Sequence, residues 1–132
     1  MDETSSPTSG LVHVDAPHRE LLDQILDKWS LQVIDVLCGN PMRFNELRRE
    51  IPSIGQKSLT STLRRLERNG MVERVVLRTR PIAVEYRTAA VGDSLNELIE
   101  SLLRWTTENL PEVESARERF DATVRDPSDA GV

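Results

Sequence analysis

At Gly70 the chain changes its hydrophobic period. Up to that point Leu59, Leu63 and Leu66 recur at helical spacing, within about 60° of one another at 100° per residue, so one stripe of this segment faces a core. The pair Asn69 and Gly70 supplies the left-handed stop that such a helix needs. Immediately afterwards Met71, Val72, Val75, Val76 and Leu77 favour a strand and are interleaved with charge, and Ala83, Val84, Glu85 and Tyr86 offer a second strand. Thr79, Arg80, Pro81 and Ile82 connect the two. A helix over about 56–69 that hands over to an antiparallel hairpin with a basic tip leaves few folds open.

The segments on either side narrow the choice. Leu22, Ile25, Leu26, Trp29 and Val33 repeat at intervals of three and four, with Leu31, Ile34, Leu37 and Cys38 on an adjoining face, which predicts helix with a break near Asp27. Gly39, Asn40 and Pro41 end it. Asn45 is expected to cap a short helix that turns Leu47 and Ile51 inward, with Glu46 in its first turn and Pro52 closing it. Beyond the hairpin, Leu95, Leu98, Ile99, Leu102 and Leu103 define a helix from about 93 to 108, which Pro111 is expected to interrupt. Val113, Ala116, Phe120 and Val124 then predict one more amphipathic helix. The expected fold is mainly α with a small antiparallel β wing, a winged helix-turn-helix with dimer-forming terminal helices. Residues 13–125 are read as one domain; the polar stretches 1–12 and 126–132 are expected to be disordered tails.

Charge is segregated along the 132 residues. The net charge is −5, yet residues 28–87 hold twelve Lys and Arg against six acids, and the remainder holds five against sixteen. A basic middle between acidic flanks keeps a nucleic-acid partner open, where the total alone would argue against one. A single cysteine, Cys38, excludes an internal disulfide framework, and His13 and His18 have no clustered ligand set around them, so neither a metal nor another cofactor is expected. Cys38, at a helix C-terminal end among apolar neighbours, reads as a small core residue, because that setting disfavours a thiolate. No membrane-length apolar run and no secretory signal pattern is present, which makes a cytoplasmic protein the expectation. No Ser/His/acid set and no phosphate-cradling glycine loop points to an enzyme.

The face of the 56–69 helix opposite its leucines carries Lys57, Ser61, Arg64 and Arg68, with Gln56, Thr60 and Arg65 alongside. Lys and Arg can pair with guanine edges or phosphates, Gln with adenine, and Ser or Thr with either, so the stripe suits the major groove of duplex DNA. A basic helix is more often just a solvated surface. Here a short helix and a tight turn precede it and a basic hairpin follows, which is the order a DNA-reading helix-turn-helix requires. Arg78 and Arg80 on the wing would reach the minor groove or its phosphates, and Arg43, ahead of the short helix, joins the expected DNA-contacting set.

The linked motifs Lys28-Trp29-Ser30, Arg43-Phe44-Asn45-Glu46-Leu47-Arg48, Ile51-Pro52, Gln56-Lys57-Ser58-Leu59-Thr60, Leu63-Arg64, Leu66-Glu67, Asn69-Gly70, Val72-Glu73-Arg74 and Val84-Glu85-Tyr86 resemble the HxlR winged-helix regulators over roughly residues 20–105. The resemblance implies cytoplasmic homodimers that bind operator DNA as repressors or activators, repression being the expected mode, with Gln56, Lys57, Thr60, Ser61 and Arg64 on the recognition helix. The chain departs from the family pattern at three places. Gly55 stands where Ser commonly starts the recognition helix, Thr88 and Ala89 replace a Leu-Thr pair, and Ala83 replaces a basic wing residue. The last departure shifts the expected wing contact to Arg78 and Arg80.

Leu95, Leu98, Ile99, Leu102, Leu103 and Trp105 together offer more apolar surface than one wall of a small domain requires, so a homodimer through this helix is expected. A small-molecule effector is left unidentified. The competing reading is a winged-helix protein-interaction module that does not bind DNA, since a fold does not dictate a function.

Overall fold

The break at Asp27 sets how the amino-terminal helices are laid down. The computed structural model describes residues 15–125. The predicted tails at 1–12 and 126–132, and His13, lie outside the described residues. In order come α1 (Ala16–Ile25), α2 (Lys28–Leu37), α3 (Phe44–Glu50), α4 (Gln56–Arg68), β1 (Val72–Thr79), β2 (Ile82–Thr88) and α5 (Ala90–Arg125). The chain divides into two compact units, one ending at Asp93 and one beginning at Ser94.

Asp27 caps α2 by accepting from the Ser30 amide at 2.9 Å. Leu26 before it has left helical geometry, at φ −94° and ψ 64°. The helical period is therefore not carried across the break. Of the series expected to point inward, Ile25 and Val33 are buried, while Leu22 and Leu26 are exposed. The most deeply buried side chains of the first unit are Val33, Ile34 and Leu37 from α2, Leu47 from α3, Leu59, Leu63 and Leu66 from α4, and Val72 from β1. Cys38 is the C-cap of α2 and only half-buried, so the expectation of a core cysteine is corrected. Its Sγ donates to Asp93 Oδ1 at 3.5 Å, which places it at the rim of the core beside a carboxylate.

The short helix α3 starts two residues earlier than expected. Arg43 takes the N-cap position and Asn45 lies inside the helix, so Asn45 is not its cap. The Glu46 carboxylate instead reaches back and accepts from the Arg43 amide at 2.7 Å, satisfying one of the amides left over at a helix start. Helix α4 ends as its sequence requires, with Gly70 at φ +76°. Its amino end has only Gly55 as N-cap, which gives no side-chain hydrogen bond.

The two strands pair from Val72 with Thr88 to Thr79 with Ile82, leaving Arg80 and Pro81 as the whole turn. The connection is thus shorter than the four residues expected, because Thr79 and Ile82 join the ladder. Register shifts between Val76, opposite Val84, and Arg78, opposite Ala83, so Leu77 is the extra residue of a bulge. A two-residue bridge ties Met42, just ahead of α3, to Tyr86, with amide-to-carbonyl distances of 3.0 and 2.7 Å. The wing root and the helix-turn-helix are thereby held by backbone as well as by packing.

The carboxy-terminal helix is one element. Pro111 lies inside it, contrary to the expectation of two helices separated at that residue. A proline there removes one hydrogen bond and costs about 3 kcal/mol. The flanking segment, rich in Glu, Arg and Ala, carries the helix on to Arg125.

Candidate nucleic-acid interface

The leucine stripe of α4 decides which side chains face out. With Leu59, Leu63 and Leu66 buried, Gln56, Lys57, Thr60, Ser61 and Arg64 are exposed and together line one shallow concavity of about 690 Å³. Among the described residues none of Lys57, Arg64, Arg68, Arg78 and Arg80 has a carboxylate partner, whereas Arg65, Arg87 and Arg119 pair with Asp27, Glu73 and Glu112. A row of cations, hydroxyls and one amide with no acid among them is suited to phosphates and base edges.

The other expected contacts are arranged around this row. Arg68 is exposed one turn after Arg64 on the same helix. Arg43 lines a separate hollow at the start of α3 with Phe44, Asn45, Arg49 and the β2 residues Ile82 to Glu85. Arg78 and Arg80 are exposed at the wing tip, one at the bulge and one in the turn. Ala83 is buried, so the position where the family pattern carries a basic residue is turned inward in this chain.

Arg65, grouped with the cationic stripe in the sequence, does not belong to it. Its Nε donates to the Gln24 carbonyl at 2.9 Å and its Nη2 to Asp27 Oδ2 at 2.9 Å and Ser30 Oγ at 3.0 Å. Helical angle alone does not assign it, because it lies at the edge of the polar face, where a long side chain can bend either way. Burial pushes the Asp27 carboxyl up, but the hydrogen bonds from the Ser30 amide and hydroxyl, and then the Arg65 guanidinium, outweigh it and hold the group below the usual carboxylate range.

The sequence singles out Arg64 but not what stands behind it. A narrower cleft of about 320 Å³ lies between α4 and the root of the wing, lined by Phe44, Leu63, Arg64, Arg74 and Tyr86 among others. Arg74 is exposed on β1 and brings a further cation to the gap between α4 and the wing. Its signal in the sequence is only an alternation in a strand.

The whole segment from Gln24 to Glu114 matches the model of the HxlR-like helix-turn-helix family. The chain belongs to that family. This HxlR-like protein is 32% identical over 102 residues to the HTH-type transcriptional regulator YtfH of Escherichia coli strain K12, covering 77% of this chain and 81% of the relative. It is 37% identical over 90 residues to the HTH-type transcriptional regulator YodB of Bacillus subtilis, covering 67% and 80%. Among solved structures, the redox regulator HypR in its reduced form superposes with a TM-score of 0.68 at 36% identity, covering 76% of this chain and 99% of that one. The HxlR-like chain is thus a transcriptional regulator of the winged helix-turn-helix type, and these relatives are regulators rather than enzymes. No helix among its described residues is long and apolar enough to cross a membrane.

In the second unit, Ile99 is buried and Leu95 half-buried. Leu98, Leu102, Leu103 and Trp105 of the expected dimer set are exposed, and so are Leu110, Phe120 and Val124 further along α5.

Proposed function

We propose that this cytoplasmic regulator binds a specific double-stranded DNA operator as a homodimer and represses transcription, with α4 in the major groove and the wing on the minor groove or backbone. The observation that carries the reading is the exposed row of Gln56, Lys57, Thr60, Ser61 and Arg64, which shares one open concavity and has no acidic partner among the described residues. Arg64 lines both that concavity and the cleft at the wing root, and is the group we expect to pair with a base edge. Lys57 and Arg68 flank it as phosphate contacts, and Arg78, Arg80 and Arg43 extend the cationic track. The exposed apolar residues Leu98, Leu102, Leu103 and Trp105 support the homodimer, since a stripe of this size on one helix is costly to leave in water. A two-fold dimer places its recognition helices about 34–36 Å apart, or a multiple of it, along the duplex. Seated on a promoter, it excludes polymerase by volume alone, hence repression.

The test is a titration of labelled duplex from upstream of the protein's own gene, read by fluorescence anisotropy at two salt concentrations against unrelated competitor. Wild type should bind selectively and weaken steeply with salt, and Arg64→Ala should lose about 1–3 kcal/mol. Absence of binding by wild type to any duplex at low salt refutes the reading. A reporter behind the same duplex should rise in expression when the gene is deleted; a fall refutes repression.

A further inference from the structure

Arg65, at the edge of the exposed face of α4, is held by three hydrogen bonds from its guanidinium. Arg65 spans three points on the junction of α1 and α2: the Gln24 carbonyl, the Asp27 carboxylate and the Ser30 hydroxyl, all within 3.0 Å. Ser30 is buried, and its hydroxyl also donates to Asp27 at 2.9 Å, so each member of the set is tied to another. Asn69, at the C-cap of α4, adds a longer contact to the Gln24 side chain at 3.5 Å. A helix packed only by leucines can roll on its own axis, because apolar contacts are not directional. Three hydrogen bonds from a planar guanidinium are directional, and two of them go to groups whose positions are set by the α1–α2 break.

The consequence falls on Arg64, the residue before it. A side-chain tip about 6 Å from the axis of a helix moves about 1.5 Å when the helix rolls by 15°, enough to take a hydrogen bond out of range. We propose that Arg65, through Asp27 and Ser30, is a positioning residue for operator recognition. It fixes the roll of α4 so that Gln56, Thr60 and Arg64 meet base edges in register, and it does not itself touch DNA. The proposal rests on the DNA-binding reading above.

Its signature differs from that of a phosphate contact. Phosphate contacts tolerate a small roll, whereas base contacts do not, so loss of the clamp should lower operator affinity and leave nonspecific affinity nearly as it was. The sign at Asp27 is the sharper test. Removing a carboxylate near DNA raises affinity if electrostatics alone act, but should lower operator affinity if the carboxylate's role is to hold Arg65.

The experiment uses the full chain as Arg65→Gln, Asp27→Asn and the double variant, with the upstream duplex and an unrelated duplex, over a series of salt concentrations and well below the melting temperature. Asparagine keeps the N-cap while removing the charge. Each single variant should lower the ratio of operator to nonspecific affinity about tenfold, the double variant should be no worse than the singles, and the salt slope should not change. A general loss of folded protein scales both affinities together and leaves the ratio alone, so the ratio separates positioning from mere stability. Should Arg65→Gln fail to fold, Arg65→Lys replaces it, since an ammonium cannot serve the three acceptors with the same planar fork, and the same fall in ratio is expected. A salt slope reduced by about one in the Arg65 variant would make it a phosphate contact and overturn the proposal. Ratios equal to wild type in the Arg65 and Asp27 variants would also overturn it while leaving the DNA-binding reading intact; wild type that binds no duplex would sink both.

Discussion

Replacing Gly92 by alanine should destabilise the protein, although helix propensity says the opposite. Gly92 lies in the first turns of α5, and alanine in a helix interior is worth about 1 kcal/mol over glycine. In the structure Gly92 is buried, and a Cβ built on it runs into the Met71 backbone carbonyl oxygen, with the carbonyl carbon 3.2 Å away. That carbonyl cannot swing aside cheaply, because it accepts the Ala89 amide at 2.9 Å where the chain passes from β2 into α5. Overpacking against a neighbour that cannot rotate away sits at the upper end of the usual range, about 3 kcal/mol. Offset by the propensity gain, the net loss is about 2 kcal/mol, or a fall in Tm of roughly 6–10 °C for a chain of this size. Differential scanning calorimetry of wild type and Gly92→Ala at one protein concentration measures it, the concentration being matched because association shifts Tm. A Tm equal to or above that of wild type would refute the reasoning and mean that the strand-to-helix junction yields more readily than its hydrogen bond implies.

Gly55→Ser should raise stability by a few tenths of a kcal/mol, since Gly55 has extended backbone, open space around its Cα and no side-chain cap to lose; urea unfolding with an unchanged or lower midpoint would contradict this. Because the Asp27 carboxyl is held below its usual range in the folded protein, its contribution to stability is complete above the unfolded value of about 4 and is lost as pH falls through the lowered folded value. Asp27→Asn should therefore flatten the acid limb of a stability-versus-pH curve, and an acid limb as steep as that of wild type would contradict the assignment. Leu102→Glu, on the exposed apolar stripe of α5, should leave only the 15.0 kDa monomer at micromolar concentration by light scattering where the wild type has twice that mass; a wild type that is already monomeric there would refute the proposed dimer.

Most of the exposed face of α4 is legible in the amino-acid order. The leucines of α4 leave only one face to solvent, so Gln56, Lys57, Thr60, Ser61 and Arg64 follow from the 3.6-residue period, and Gly70 marks where that period has to end. Arg65 does not follow from it, because side-chain direction at the edge of a helical face is decided by what lies across from it, here Asp27 and Ser30, some 35–38 residues earlier in the chain. Pro111 has the local character of a helix breaker, but the helix formers on either side outweigh one residue.

What the sequence determined alone is whatever depends on neighbours along the chain: the helix and strand periods, the stops at Gly39 and Gly70, the basic middle, and hence a hairpin behind a cationic helix. What tertiary structure decided is whatever depends on partners brought together from afar. It turned Ala83 inward, shortened the wing turn by pairing Thr79 with Ile82, left Leu22 and Leu26 exposed, and set a backbone carbonyl against Gly92. The division has one physical cause: periodicity specifies which side of an element is apolar, but packing specifies how close a second element comes and which groups it carries.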